Sequence, residues 1–411
     1  MSFITVKRSL QSSVWAIRDA RIALAARAVS TAGTSVTSIA AILLLHDGGV
    51  GALGVAAFLA VLVIPTVATI GIAGRVADTV DSRVVLTVTA LVQAAAVCAL
   101  GFAPAPVMIF VTGVLIALAQ AFAQPTWQAL VPRIVGEERI GQAISWQQGL
   151  AAVASPIGAG LGGLLVALDG VAWGFWADAA TYAALAGAAL LIRTRRHGGA
   201  HAEAASTSWT AGIRVVAHDR ILVPLFASIL VFVVLVEGVN PVEVFLVRDA
   251  LGASDWQYGL TEFFAGAGGL IGAAIAGRIV GNTVRARAAT VGFGLAAAVL
   301  VGIGFAPGYW VYAALITLLV AGFGTGNATF GALLTSRTPE AQRGRVYAAL
   351  NGLARTASLL ALGLGGVANA LLGPRPTFVV AGIAGAVTMV VAGFAVLRAQ
   401  RAEASALIPA P

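Results

Sequence analysis

Long apolar runs, each closed by a short polar or glycine-rich break, follow one another along the whole chain. Twelve are counted, at about 22–45, 50–73, 84–103, 106–131, 140–168, 171–192, 221–247, 257–280, 286–305, 309–334, 343–372 and 377–398. Each has the roughly 20 apolar residues that a helix needs to cross the hydrocarbon core of a bilayer. The stretch 343–372 is expected to include an interfacial turn. Several breaks are very short, as at Ala103-Pro104-Ala105-Pro106 and Ala306-Pro307-Gly308. Consecutive helices must then be antiparallel neighbours. The pattern predicts an all-α membrane protein of twelve transmembrane helices.

The pattern also repeats itself at half the chain length. Gly74-Arg75-Val76 closes one apolar run and Gly277-Arg278-Ile279 closes another, about 203 residues on. At the same offset Trp127, Ala129, Leu130 and Gly141 recur as Phe330, Ala332, Leu333 and Gly344. Two pseudo-symmetric six-helix halves follow, 1–192 and 221–411. Between them, 193–220 opens on Arg193, Arg195 and Arg196 and continues through small residues from His197 to Ser208. It reads as a cytoplasmic linker. Trp209, Ile213 and Val216 at helical spacing add a short interfacial helix. Paired membrane halves are how many transporters build alternating access around a central site, so transport is the first hypothesis.

Composition narrows the class. The 411 residues are 59% hydrophobic and 10% charged, against the roughly 25% charged residues of a soluble globule. A net charge of +8 would suggest nucleic acid in a soluble protein, but its distribution says otherwise. With both termini inside, 21 of the 25 basic residues fall in cytoplasmic segments. This is the positive-inside pattern. It sets orientation and leaves no nucleic-acid partner to expect. Cys98 is the single cysteine, so no intrachain disulfide can form. Lys7 and Arg8 precede a long apolar run without a short core and cleavage site, so no cleaved signal peptide is expected.

Glycine is abundant, with 49 residues, and clusters inside the runs. The densest stretch is Ser155-Pro156-Ile157-Gly158-Ala159-Gly160-Leu161-Gly162-Gly163. Small residues let helix backbones approach closely in lipid. That face serves either static packing or the rocking of two helices. The segment Gly74-Arg75-Val76-Ala77-Asp78-Thr79-Val80-Asp81-Ser82-Arg83 resembles the signature loop of the major facilitator superfamily. The Ser155-Pro156 and glycine run resembles the antiporter signature of its twelve-span exporters. Gln124-Pro125-Thr126-Trp127-Gln128-Ala129-Leu130-Val131-Pro132 and Val247-Arg248-Asp249-Ala250-Leu251-Gly252 resemble the drug:proton antiporter subgroup that contains macrolide-efflux and enterobactin-export proteins. Thr79 and Ser82 stand where the signature loop usually carries basic residues. The resemblance implies the major facilitator fold and a gating set of Gly74, Asp78, Arg83, Pro156, Gly158 and Gly162. Asp78 would latch the cytoplasmic side against a helix N-terminus or Arg343 and Arg345, or is a solvated loop residue. Asp81 reads as the N-cap of the third helix.

Away from the run ends, six charged residues fall inside the runs: Arg27, Asp178, Glu237, Glu243, Glu262 and Arg355. A charge at the bilayer centre costs about 2.5–3.5 kcal/mol on insertion scales, so each needs a partner, a wet cavity or neutrality. Glu237, just before Asn240-Pro241, Glu262 and Asp178 all lie towards the outer end and are expected to line one vestibule. A carboxyl there is neutral when buried and ionised when flooded, as proton coupling requires; the bland alternative is a satisfied buried carboxyl. Glu237 is the first choice. Glu243 reads as interfacial near Arg248, and Arg27 as snorkelling to the cytoplasmic surface. Arg355 pairs with a carboxylate or meets an anionic substrate. Gln120, Gln124, Trp127, Trp146, Gln147, Asn327 and Asn351 are candidates for a polar-aromatic substrate pocket, although tryptophans also serve as interface anchors.

A phosphate-binding loop ends in Gly-Lys-Ser/Thr, and Lys7 is the only lysine. His197 and His201 have no acidic companion nearby for zinc. Neither a nucleophile elbow nor a His-Glu-x-x-His helix is present. No catalysis, cofactor or metal is expected. The expectation is a proton-coupled exporter of an amphipathic small molecule (drug, siderophore or natural product), acting as a monomer in the bacterial inner membrane. An importer or lipid-handling facilitator on the same fold is the alternative, and a non-transporting receptor is disfavoured.

Overall fold

In the computed structural model, residues 13–195, 214, 216–217 and 219–406 are described. Most of the 193–220 linker, with His197, His201, Trp209 and Ile213, therefore lies outside the described residues, as do Lys7 and Arg8.

Twelve long helices account for nearly all of the described chain, and no strand occurs among the described residues. They are α1 (Arg18–Asp47), α2 (Gly51–Thr79), α3 (Ser82–Phe102), α4 (Pro106–Val135), α5 (Ile140–Asp169) and α6 (Val171–Leu191). The second set is α7 (Leu222–Val239), α8 (Asp255–Ala276), α9 (Asn282–Gly304), α10 (Tyr309–Arg337), α11 (Arg343–Leu372) and α12 (Pro374–Ala406). Eleven of the twelve are long and apolar enough to cross a membrane. The exception by composition is α6, which matches the length but is diluted by Trp173, Trp176, Asp178 and Tyr182. Apolar side chains cover the outer faces: Phe102 is 76% and Leu371 79% exposed. Helices apolar on every side belong in lipid.

Three boundaries differ from expectation. The signature segment is not a loop, because α2 runs on through Gly74 and Asp78 to Thr79. No proline lies between Gly74 and Thr79, and the Thr79 hydroxyl donates to the Arg75 carbonyl within the last turn. Only Val80 and Asp81 link α2 to α3. Asp81 caps α3, its Oδ1 accepting the Arg83 N–H at 2.8 Å. The stretch 343–372 is one unbroken helix, and the turn lies just before it at Glu340–Gln342. Conversely, the seventh span breaks: Pro241 has no N–H to give, and α7 continues through a 3-10 turn (Asn240–Val242) and one α turn (Glu243–Phe245) into a π turn (Leu246–Ala250).

Contacts divide the described residues into two compact units. One holds α1, α2 from Phe58 onward, α3 to α6, and α8 as far as Phe263. The other holds α2 as far as Ala57, α7, α8 from Phe264, and α9 to α12. The repeat is visible inside each. Helices α4, α5 and α6 begin at 106, 140 and 171, and α10, α11 and α12 at 309, 343 and 374, always 203 residues later. In the first unit α1 packs on α5 and α6, while α3 packs on α4 and α6. In the second unit α7 packs on α11 and α12, while α9 packs on α10 and α12. The same pairings recur because the same apolar and small-residue faces recur.

Candidate functional site

The first unit encloses its polar side chains along α1. From Arg27, polar residues recur at Ser30, Thr31, Thr34, Ser35, Thr37 and Ser38, a stripe at helical spacing. Much of that stripe faces α4 and α6. A cavity of about 100 Å³ is lined by Arg27, Ser30, Thr31, Gln93, Gln120, Ala123, Gln124, Trp127, Tyr182 and Leu185. Trp127 is only 4% exposed, and the Arg27 guanidinium carbon stands 5.2 Å from the centre of its ring. That is cation–π range. Arg27 Nη2 donates to Gln124 Oε1 at 3.5 Å. Where the sequence suggested only snorkelling to the surface, Arg27 thus has a ring and an amide of α4 within reach.

Two turns further along α1 from Arg27, the Thr34 hydroxyl and the Tyr182 hydroxyl lie 2.9 Å apart, and the Gln120 amide bonds the same tyrosine. Gln120 also lines a second cavity of about 140 Å³ with Thr34, Thr37, Ser38 and Thr112. Beside this seam sits Asp178, with no exposed surface. The Thr181 hydroxyl donates to its Oδ1 at 2.9 Å. The side chain of Thr37 on α1 is its second hydrogen-bond partner. Gly33 makes this possible, since a Cβ there would collide with Thr181 and Asp178. Asp178 therefore faces α1 inside its own unit rather than an open vestibule.

The other candidates are placed separately. Glu237, in the second unit, is half-buried near the end of α7 and is bonded by Asn240. Glu262 is exposed on α8. Glu243 accepts the hydroxyl of Tyr312 from α10, while Arg248 donates to the Ala253 carbonyl at 2.6 Å. Of the pocket candidates, Gln120, Gln124 and Trp127 share a cavity. Trp146 packs edge-on against Trp15 at 5.3 Å, and Gln147 is half-buried one residue on. Asn327, Asn351 and Arg355 are exposed in the second unit.

The gating candidates lie within single units. Gly158 and Gly162 press the α5 backbone against Ala32 and Val36 of α1, and the Ser155 hydroxyl meets that of Ser35 at 2.9 Å beside Pro156. Arg83 donates to the Ile192 carbonyl, capping the end of α6. Asp78 is half-buried at the end of α2, and Gly74 lies one turn earlier with open space beside its Cα. Asp19 holds the chain leaving α6, its Oδ2 accepting the N–H groups of Arg193 at 3.0 Å and Thr194 at 2.8 Å. Gln93, Thr34, Thr37, Thr181 and Tyr182 were not among the expected site residues. The polar stripe on α1 was the available signal, since an apolar span has no packing need for one.

Twelve long helices whose second set repeats the first, with a polar cavity within one unit, are an architecture that membrane transporters use. The sequence model of the Major Facilitator Superfamily matches residues 23–361 and 238–410, and the chain belongs to that superfamily. It is a secondary transporter of that type. No curated protein matches it in sequence. Among solved structures it resembles a bacterial homologue of the iron transporter ferroportin in an inward-facing state, at 16% identity and a TM-score of 0.69, over 93% of this chain and 98% of that one. A transporter of the POT family with bound 5-aminolevulinic acid gives 13% and 0.68, over 91% and 95%. A single-residue mutant of the nucleoside transporter NupG gives 15% and 0.65, over 93% and 98%. At such identities the likeness is one of fold.

Proposed function

We propose that this chain is a proton-coupled exporter of an amphipathic small molecule, working by alternating access between halves 1–192 and 221–411, with both termini cytoplasmic. The observation that carries the reading is Asp178. A carboxyl with no exposed surface, held only by the hydroxyls of Thr181 and Thr37 and by no cation among its described contacts, is costly in its charged form. Protonation would turn the carboxyl from an acceptor of the Thr37 hydroxyl into a donor to it. Gain and loss of that proton would change how α6 sits on α1. Glu237 and Glu262 remain the second and third coupling candidates. Gly74, Asp78 and Arg83 at the α2–α3 junction, with the Pro156 bend, are the proposed gate.

The test is efflux of ethidium, a macrolide and fluorescein from expressing cells, with and without a protonophore. Efflux above the vector control should be abolished by the protonophore and lost in Asp178→Asn, which keeps the shape but cannot release a proton. Export unaffected by the protonophore would refute proton coupling, and substrate-driven accumulation instead of efflux would favour the importer. Loss in Glu237→Gln with Asp178→Asn still active would move coupling to α7.

A further inference from the structure

The two units solve the same packing problem in opposite ways. The cavity residues Arg27, Ser30, Thr31, Gln93, Gln120 and Tyr182 have Leu230, Val233, Val234, Ala296, Phe323 and Gly385 at the corresponding positions 203 residues on. In the second unit Phe323 joins Phe232 and Phe293 in a cluster of rings whose centres lie 5.5 to 6.2 Å apart. Phe330, the counterpart of Trp127, stacks on Phe226 at 6.3 Å. This architecture therefore has an apolar filling for that place. Polar groups there cost free energy that packing does not require.

The chemistry of the polar version is one-sided. A guanidinium carries five N–H donors. Among the described residues, that of Arg27 makes one hydrogen bond, long at 3.5 Å, and its Nε is buried with no partner. None of the residues lining the cavity is acidic. Gln120, Gln124 and Ser30 add donors around the same space, and Trp127 holds the guanidinium from one face. What is missing is an acceptor with negative charge. A planar fork of donors matches a carboxylate or similar oxyanion.

We propose that this cavity is the headgroup subsite for the transported molecule, and that the molecule is an organic anion whose carboxylate or equivalent oxyanion lies against Arg27. At about 100 Å³ the cavity takes the charged group, and the apolar remainder stays outside it. The inference rests on the transport reading of the same unit and deepens it by naming the charge of the cargo.

Binding to the purified full-length protein tests it without any flux. Thermal stability in detergent is followed with benzoate, 1-naphthoate and fluorescein, each aryl carboxylate set against a neutral analogue lacking the charge, and with short-chain phosphatidylglycerol as a lipid anion. At least one aryl carboxylate should raise the melting temperature in a saturable way, and its neutral analogue should not. In Arg27→Leu, the residue at the corresponding place in the second unit, the affinity should fall about tenfold or more. Arg27→Lys should keep part of it, since it restores the charge without the fork. Equal shifts by the neutral analogues, an unchanged affinity in Arg27→Leu, or no carboxylate-specific shift at all would overturn the proposal. A shift with phosphatidylglycerol alone would also overturn it, assigning the cavity to lipid. Carboxylate binding through Arg27 in a protein that shows no protonophore-sensitive efflux would sink the coupling reading and leave this one standing.

Discussion

Gly158 is where the fold makes its most exposed commitment. A Cβ built there would stand 2.7 Å from both Cα and the carbonyl carbon of Ala32, and nearer still to the carbonyl oxygen. These are backbone atoms of α1 and cannot rotate away. Carbon atoms rest about 3.5–4.0 Å apart, so in Gly158→Ala the two helices must separate by about 1 Å. A gap of that size forfeits up to about half of each dispersion contact along the seam. It also stretches the 2.9 Å bond between Ser35 and Ser155. Overpacking of this kind costs about 1–3 kcal/mol, and the weakened hydrogen bond adds about 1. The assay is thermal unfolding of the purified protein in detergent, where a loss of about 3 kcal/mol in a unit of this size lowers the melting temperature by roughly 6–12 °C. Gly160→Ala, on the same helix, is the control: its Cβ would meet only Leu260 Cδ2, at an ordinary 3.8 Å. If Gly158→Ala melts with the wild type, or if both variants fall equally, α1 and α5 do not approach as described.

At the base of the second unit, Arg337 bridges Asp219 at 2.7 Å and Glu403 at 2.6 Å, while Asp219 Oδ1 accepts the N–H groups of Ile221 and Leu222 at the start of α7. Burial pushes the Asp219 carboxyl up, but Arg337 and the two backbone donors outweigh it and hold it below its ordinary value of 3.8. A carboxyl lowered on folding stabilises at any pH above its unfolded value, and that stability is lost as pH falls through the folded one. Acid melting curves should therefore steepen below about pH 4 in the wild type, and Asp219→Asn, which keeps the cap but loses the Arg337 ion pair, should remove part of that slope while lowering stability near pH 7 by up to about 1 kcal/mol. An unchanged acid slope in the variant would refute the assignment. In α10, Tyr312→Phe takes away the hydroxyl that Glu243 accepts, and should cost about 1–3 kcal/mol on thermal unfolding; a neutral effect would mean that Glu243 is satisfied without it.

The family and the helix count were legible in the sequence because the signals that set them are local. Hydropathy over about 20 residues is a property of one segment against one solvent, and the 203-residue repeat needed no coordinates to be seen. The cap at Asp81 was legible for the same reason, since its partner is two residues away. The helical course of Gly74 to Thr79 was hidden because a polar stretch reads as a break, although nothing in it stops a helix. The site was legible only in fragments. Gln124 and Trp127 stood out as an amide and an aromatic inside a span, but Arg27, 97 residues from Gln124, looked like a snorkelling end residue. Asp178 looked like one of three vestibule carboxyls until its oxygens were traced to Thr181 and to Thr37 on α1. Which face of α1 meets α4 and α6 depends on the rotation of each helix, and rotation is fixed by close approaches such as Gly33 and Gly158. The sequence by itself settled that these helices exist and come in two sets. Only the packing decided that one set would be filled with phenylalanine and the other left polar around an arginine.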